Sequence, residues 1–249
     1  MKEILLNIHN LSKNYHTKHK EIKAIENLSF DIYKNEILAI VGPSGCGKST
    51  LLSILAGLEN KTSGKIIKAS DYKIGYMLQS DSLFPWLTIK ENILIGLDIL
   101  KIKSKDNINN AINLLKKYGL YEFKDDYPSD LSGGMRQRVA LIRTLAINPD
   151  LILLDEPFSA LDYQTRLALS NDMYEIIKSE KKTALLITHN IEEAVSMADR
   201  VIVLSKRPCN IKSIYEIKLN NKTIPIKRRK DEKFNYYFDL IWRDLDVHI

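Results

Sequence analysis

A glycine-rich loop between a strand and a helix constrains the fold of this chain more than any other feature. The apolar run Ile37–Val41 is followed at once by Gly42-Pro-Ser-Gly-Cys-Gly-Lys48-Ser49-Thr50. Because glycines let the backbone curl, successive N–H groups of this loop converge in a way that suits phosphate oxygens. The next segment, Leu51–Ala56, is apolar at helical spacing, so the loop opens a helix whose N-terminal dipole favours a bound anion.

Two side chains of the loop indicate the ligand more closely. Lys48 supplies a positive charge for β- and γ-phosphates, and the Ser49 hydroxyl is positioned to reach Mg²⁺. The pattern predicts a nucleoside triphosphate with Mg²⁺, and leaves kinases, GTPases, motors and transport ATPases open. The candidate phosphate-binding residues are Gly42, Pro43, Ser44, Gly45, Cys46, Gly47, Lys48, Ser49 and Thr50.

Composition argues against a membrane-spanning or secreted chain. The 249 residues allow one large domain or two small ones, and 45% hydrophobic with 27% charged residues is ordinary for a soluble globular protein. No apolar run approaches the length that spans a bilayer, and the N-terminus lacks the pattern of a signal peptide. We expect a cytosolic chain whose membrane association is peripheral.

Cysteines and net charge are less informative. Cys46 and Cys209 form neither a metal-ligand spacing nor a disulfide framework. The net charge of +6 would fit nucleic acid or an anionic membrane, but the basic residues are spread along the chain. The one compact basic cluster, residues 227–230, is interpreted as a solvated segment, with lipid or partner contact as the alternative.

Apolar patterns predict an α/β fold. Leu151–Leu154 and Ala184–Ile187 are aliphatic runs typical of parallel strands buried on both faces, with a helical stretch, Arg166–Lys178, between them. Apolar residues recur at helical intervals from Ile89 to about Tyr118, which predicts a helical insertion into a parallel sheet. Further strands are predicted at Ile4–Ile8, Leu28–Ile32, Ile37–Val41, Lys65–Ile67 and Ile74–Met77.

A second candidate anion site lies at Ser132, Gly133 and Gly134. Ser132 is a good helix N-cap, and an apolar helical face follows it. Two glycines at the start of a helix allow a ligand to approach bare N–H groups closely. A plain turn is the alternative interpretation.

Two carboxylates end the predicted strand Leu151–Leu154. Asp155 and Glu156 fall where the carboxyl edge of a parallel sheet normally places its ligands. Asp155 suits a Mg²⁺ shell, and Glu156 suits a general base that polarises an attacking water. A solvated sheet edge is the alternative.

These motifs resemble the nucleotide-binding subunits of ATP-binding-cassette transporters, over roughly residues 4 to 205. Gln79 matches that family's Q-loop glutamine, and His189 matches its switch histidine. Ser159–Asp162 is similar to the D-loop, and Tyr15 to the aromatic on which adenine stacks. One departure is Met135, where the commonest form of the signature has Gln, and it puts finer contacts beside the nucleotide in doubt.

The resemblance implies a role for each matching residue. Glu156 and His189 are catalytic, whereas Tyr15, Gly42–Thr50 and Gln79 bind ATP. Ser132, Gly133 and Gly134 form the signature, which contacts ATP in trans, and Asp162 belongs to the D-loop. Ser49, Gln79 and Asp155 hold Mg²⁺.

The family also implies an architecture. We expect a P-loop NTPase core with a parallel sheet, an antiparallel N-terminal β subdomain and a helical subdomain at about 88–145, all within residues 1–220. Residues 221–249 form a C-terminal appendage with a helix, Phe234–Trp242, packed on another part of the structure. The partners implied are a second nucleotide-binding subunit, membrane permease subunits and, indirectly, a solute-binding protein, with no nucleic acid.

Within the family, the segments Leu83–Thr88, Ala160–Arg166 and Ile191–Pro208 resemble the nitrate, sulfonate and taurine importer branch. The expected function is an ATPase at the cytoplasmic face of the membrane that energises such an importer. The alternatives are an exporter subunit, or a soluble cassette acting on ribosomes or DNA. Phe84 and Trp86 are predicted to face a membrane subunit, with local packing as the alternative.

Overall fold

Two β-sheets and eight α-helices make up the chain in the computed structural model, which describes residues 2–16, 20–69, 72–159, 161–220 and 223–245. The large sheet contains, in spatial order, Ile74–Met77 (β5), Leu151–Asp155 (β6), Thr183–Ile187 (β7), Ile37–Val41 (β3), Arg200–Leu204 (β8) and Ile211–Glu216 (β9). Its first five strands run parallel, and β9 pairs antiparallel with β8. The small antiparallel sheet contains Glu21–Tyr33 (β2), Ile4–His16 (β1) and Ser63–Lys68 (β4).

The helices cover both faces of the large sheet. They are Lys48–Leu55 (α1), Ile89–Ile99 (α2), Lys105–Lys117 (α3), Gly133–Ala146 (α4), Tyr163–Ser179 (α5), Ile191–Met197 (α6), Pro225–Arg228 (α7) and Phe234–Asp244 (α8). Short 3₁₀ helices lie at Tyr121–Phe123 and Pro128–Asp130. Within the described residues, no helix combines the length and apolarity that crossing a membrane requires.

The core lies in two layers, one on each face of the large sheet. Alternate residues of β3 show the division, since Leu38 and Ile40 pack toward the small sheet and α1, whereas Ile37, Ala39 and Val41 pack toward the other helices. All five are completely buried. A strand buried on both faces needs an unbroken aliphatic run, which is why β3, β6 and β7 are recognisable in the sequence.

The α/β fold class and the antiparallel N-terminal sheet are confirmed. The predicted helical insertion from Ile89 is two helices, because α2 ends at Ile99 and Ser104 caps α3 by accepting a hydrogen bond from the Asn107 N–H. The strands β8 and β9 and the helix α6 were not predicted. The proposed division at residue 220 stays a prediction.

The C-terminal helix α8 packs on α6 and β9, as expected of an appendage that rests on other parts of the structure. Phe234 and Ile241 bury their side chains there. The Tyr215 hydroxyl of β9 donates a 2.6 Å hydrogen bond to Asp244 of α8.

The basic cluster at residues 227–230 is not a solvated segment throughout, so that interpretation is wrong for its arginines. The Arg228 side chain is buried and donates hydrogen bonds to the carbonyls of Ala198, at 2.7 Å, and Met197, at 3.4 Å. These carbonyls end α6, so the guanidinium caps a helix C-terminus, where positive charge is favourable. Arg229 pairs with Glu192 at 2.6 Å.

Replacing Arg228 with Met is expected to lower the free energy of unfolding by about 2–3 kcal/mol, because two buried carbonyls lose a charged donor. For a chain of this size, the loss corresponds to a fall of roughly 4–12 °C in the melting temperature. Thermal unfolding followed by circular dichroism measures it. Lys227→Met, on the exposed side of the same short helix, is the matched control, and equal melting temperatures for the two variants would contradict the capping role.

Candidate active site

The predicted phosphate loop lies between β3 and α1, with two glycines in left-handed conformations. Gly45 has φ +71° and Gly47 has φ +130°, values that L side chains rarely adopt. A Cβ on Gly47 would also lie only 3.0 Å from the Ala24 carbonyl oxygen. The loop therefore needs glycine at these positions for both conformation and space.

The loop has the donors that a triphosphate requires. Lys48 is buried, and its ammonium donates to the carbonyls of Gly42, at 2.8 Å, and Pro43, at 3.0 Å. Among the residues that the structure describes, no side chain caps the N-terminus of α1, so its first N–H groups have no side-chain acceptor there. An anion of several oxygens fits such a cradle.

A segment that follows β8 forms an outer support for the loop, and the sequence analysis missed it. Arg207 donates two hydrogen bonds, of 2.6 and 3.2 Å, to the Gly45 carbonyl. Cys209 is fully buried, and its N–H donates to the Ala24 carbonyl at 3.0 Å. No local pattern could have revealed these contacts, since Arg207 lies 162 residues from Gly45.

The two cysteines, which the sequence analysis left without a joint role, are neighbours in the fold. A hydrogen bond from the Cys209 thiol lowers the pKa of Cys46 to about 6, against the opposing effect of burial and with help from the Lys48 ammonium. The same hydrogen bond raises the pKa of Cys209. The phosphate loop thus contains a thiol whose pKa is lowered by its neighbour in the fold.

The predicted metal residues Ser49 and Asp155 meet at the carboxyl edge of the large sheet. The Tyr76 hydroxyl donates to the Asp155 carboxylate at 3.3 Å, and Ser49 lies beside that carboxylate. Burial raises the pKa of Asp155, and the Tyr76 and Ser49 hydroxyls oppose that rise. Within the described ranges, no group of three His, Cys, Asp or Glu residues could hold a metal ion alone. The pair suits Mg²⁺, which takes few protein ligands alongside phosphates and water.

The predicted catalytic residues Glu156 and His189 are in direct contact. Asp155 of β6 pairs in register with Ile187 of the neighbouring strand β7, so the residues that follow emerge side by side. The Glu156 carboxylate lies 3.0 Å from Nδ1 of His189. Glu156 has φ +44°, and its N–H donates to the Ile187 carbonyl at 2.9 Å. The adjacent parallel strands therefore bring a carboxylate and an imidazole together.

Gln79, a predicted ligand of both ATP and Mg²⁺, is exposed and donates a 3.1 Å hydrogen bond to Ser159. The residues just after it are held by α4. Arg136 contacts the Asp81 carboxylate at 3.1 Å, and Arg143 donates to the carbonyls of Asp81 and Ser82, both at 2.7 Å. The Q-loop region thereby contacts the helix that begins at the signature.

The signature turn packs against the D-loop. Ser132 caps α4 by accepting from the Met135 N–H at 3.3 Å. A Cβ on Gly133 would lie 3.5 Å from the Leu161 side chain, and one on Gly134 would lie 3.3 Å from Thr165. Asp162 caps α5 by accepting from the Thr165 N–H at 3.0 Å, while Ala160 lies outside the described residues.

Tyr15 lies near the end of β1 with about a third of its surface exposed. The Lys13 ammonium lies 4.7 Å from the centre of its ring and is fixed by Glu59, at 2.5 Å, and the Asn60 carbonyl, at 2.7 Å. A cation on one face of the ring leaves the other face for a stacking partner.

The loop that contains Phe84 and Trp86 is rigidly held and exposes Trp86. The amide group of the fully buried Asn92 donates to the carbonyls of Phe84, Leu87 and Thr88 at 3.0–3.1 Å and accepts from the Phe84 N–H at 2.8 Å. The Trp86 side chain is 69% exposed, and its ring centre lies 5.4 Å from that of the half-buried Phe84. Local packing therefore accounts for Phe84 but not for Trp86.

A phosphate loop, two carboxylates and a histidine at the edge of a parallel sheet define a nucleoside triphosphatase of the P-loop class. The profile of the ABC transporter family matches residues 25–159, more than half of the chain. The chain belongs to this family and is an ABC ATPase.

Several characterised and uncharacterised proteins are similar over most of their length. YtlC of Bacillus subtilis, described as an uncharacterized ABC transporter ATP-binding protein, is 42% identical, covering 97% of this chain and 95% of YtlC. The aliphatic sulfonates import protein SsuB of Bacillus cereus is 38% identical over 86% of each chain. The nitrate import protein NrtD of Synechocystis is 39% identical, covering 93% and 91%.

A solved structure agrees with the fold. The ATP-binding cassette MJ0796, a dimer in a post-hydrolysis state with ADP and Pi, superposes with a TM-score of 0.72 at 32% identity. The match covers 86% of this chain and 99% of MJ0796.

Replacing Cys209 with Ala is expected to raise the pKa of Cys46 from about 6 toward the value of about 8.5 of an ordinary thiol, because the thiol donor is lost. The thiolate absorbance near 240 nm, followed against pH in the folded chain, measures the shift. Cys46→Ala is the control that should abolish the low-pH step. An unchanged midpoint in Cys209→Ala would contradict the contact.

Proposed function

We propose that this chain is the energising subunit of a membrane importer for a small anionic or organic solute of the nitrate, sulfonate or taurine type. The contact between Glu156 and His189, beside the phosphate loop, is the observation that supports hydrolysis most directly. The importer assignment draws on the similarity to SsuB and NrtD, at 38% and 39% identity. The site of action would be the cytoplasmic face of the membrane.

The chain's own residues would bind and orient ATP. Lys48 and the N–H groups within Gly42–Thr50, where only Pro43 has none, would hold the phosphates, and Tyr15 would stack on adenine. Ser49, Asp155 and Gln79 would hold Mg²⁺, which supplies charge neutralisation on the phosphate oxygens. Gln79 would have to release Ser159 to do so.

Glu156 and His189 would carry out the hydrolytic step. The Glu156 carboxylate accepts a proton from the attacking water, and His189 contacts the γ-phosphate. Their 3.0 Å contact fits this division of labour, since each side chain has only to rotate from its neighbour to reach water or phosphate. Separation of the Glu156 and His189 side chains on ATP binding would indicate that the γ-phosphate is bound.

A head-to-tail dimer would complete each ATP site. The glycine turn at Ser132–Gly134 presents N–H groups at the start of α4, suited to a γ-phosphate held on the partner's loop. ATP would favour the closed dimer, and hydrolysis would remove the shared contacts and let it open. This closing and opening of the dimer would drive the permease.

The permease would dock on Trp86. An exposed aromatic on a rigid loop is a typical anchor of a subunit contact, because little conformational entropy is lost on binding. The same loop lies between Gln79 and α2, so that docking is close to the predicted nucleotide contact. A solute-binding protein would act on the permease from the other side of the membrane.

Replacing Glu156 with Gln is expected to lower the rate of ATP hydrolysis about 100-fold or more, because the general base is lost. The variant should also trap an ATP-bound dimer, because the binding contacts are kept. Size-exclusion chromatography with multi-angle light scattering, with and without ATP–Mg²⁺, measures the dimer. Lys48→Ala, which should lose nucleotide affinity, is the control. A variant that stays monomeric at saturating ATP would rule out the sandwich dimer.

The importer function is tested by reconstituting this chain with its permease and solute-binding protein and measuring ATP turnover against nitrate, taurine, alkanesulfonates and thiamine precursors. Stimulation by one solute supports the proposal and identifies the cargo class. The Trp86→Ala variant should lose several-fold of that stimulation while keeping nucleotide affinity. Failure to recover any permease complex would overturn the transport function.

A further inference from the structure

A buried glutamate on α6 contacts the switch segment from behind. Glu193 is 3% exposed, and its carboxylate accepts a 2.5 Å hydrogen bond from the Thr188 hydroxyl, next to His189. The Thr188 hydroxyl in turn accepts from the Asn190 N–H at 3.0 Å. The residues on both sides of His189 are thus fixed by one carboxylate.

The second oxygen of this carboxylate faces the D-loop helix. Nε of Arg166, near the start of α5, lies 3.7 Å from Glu193 Oε1. The same guanidinium donates a 3.0 Å hydrogen bond to the Leu161 carbonyl in the D-loop. Glu193 and Arg166 therefore connect Thr188 with Leu161, which packs under Gly133 of the signature turn.

The geometry of the pair leaves room for two arrangements. Among the described residues, the buried Nε of Arg166 has no hydrogen-bond partner, and its distance to Glu193 exceeds that of a hydrogen bond. A relative shift of about 1 Å would form that bond. Burial raises the pKa of Glu193, opposed by Thr188 and by the charges of Arg166, His189 and Arg229, so a charge held there is costly without its partners.

We propose that Glu193 is a positioning residue that, through Arg166, couples the switch segment of one ATP site to the signature turn that caps the other. Movement of His189 toward a γ-phosphate displaces Thr188, and the carboxylate carries that displacement to Arg166 and the D-loop. The proposal rests on the two-site dimer proposed above. Its physical basis is a continuous set of contacts rather than proximity alone.

The test compares Glu193→Gln, Arg166→Gln and the double variant with Glu175→Gln, an exposed glutamate of α5, as the matched control. Glu193→Gln keeps an acceptor for Thr188 and removes the charge that faces Arg166. ATP turnover by the assembled transporter is measured against ATP concentration, and nucleotide affinity is measured on the chain itself.

Each single variant should lower kcat about five- to tenfold and bring the Hill coefficient toward one, with nucleotide affinity unchanged within about twofold. The double variant should be no worse than the more severe single one, because both break the same connection. Arg166→Lys should recover part of the cooperativity.

Three results would overturn the coupling role. The first is a Glu193→Gln variant whose ATP turnover and Hill coefficient match those of Glu175→Gln. The second is a parallel loss of nucleotide affinity and of melting temperature, followed by circular dichroism, which indicates a purely structural role. The third is independent effects that multiply in the double variant. If instead the wild-type chain has a Hill coefficient of one and Glu156→Gln forms no ATP-dependent dimer, the two-site function itself is wrong.

Discussion

The register between the parallel strands β6, β7 and β3 is the constraint on which the rest of the structure depends. Because neighbouring parallel strands end at the same edge, the residues after each of them emerge together. The phosphate loop follows β3, the carboxylates follow β6, and the histidine follows β7. Segments between residues 42 and 189 that are far apart in sequence therefore meet at one edge of the sheet and form the site.

The parts of the fold that the sequence revealed are those with a strong local physical signal. Aliphatic runs identified β3, β6 and β7, since strands covered on both faces admit little else. The strand β8 has the same signal in its buried aliphatic run Val201–Leu204 and could have been predicted from it. It begins with Arg200, whose charge is buried against Glu36 at 3.1 Å. Edge strand β9 alternates between half-buried and exposed residues, a weaker pattern. The ion pair between Arg200 and Glu36 joins residues 164 positions apart, so neither local segment reveals it.

The candidate site divides in the same way. Loop glycines, paired carboxylates and helix caps have short-range patterns, and these predicted most of the residues that the fold brings together. Arg207 and Cys209 have none, because the residues they contact are distant in sequence. Arg166 and Glu193 each contact a nearby residue, but only the fold brings these two side chains together. The wrong prediction at residues 227–230 has the same origin, since a run of four basic residues is typical of a solvated segment. Only the tertiary fold reveals that the Arg228 side chain caps the C-terminus of α6.

The outer support of the phosphate loop has a consequence for what counts as the minimal cassette. The family profile ends at residue 159, yet Arg207 and Cys209 hold the loop from beyond that limit. A fragment cut at that limit would contain the whole loop Gly42–Thr50 and still lack the two residues that support it from outside. The unit that evolution must keep intact, and that a designer would have to transplant, is therefore longer than the stretch that the family profile matches.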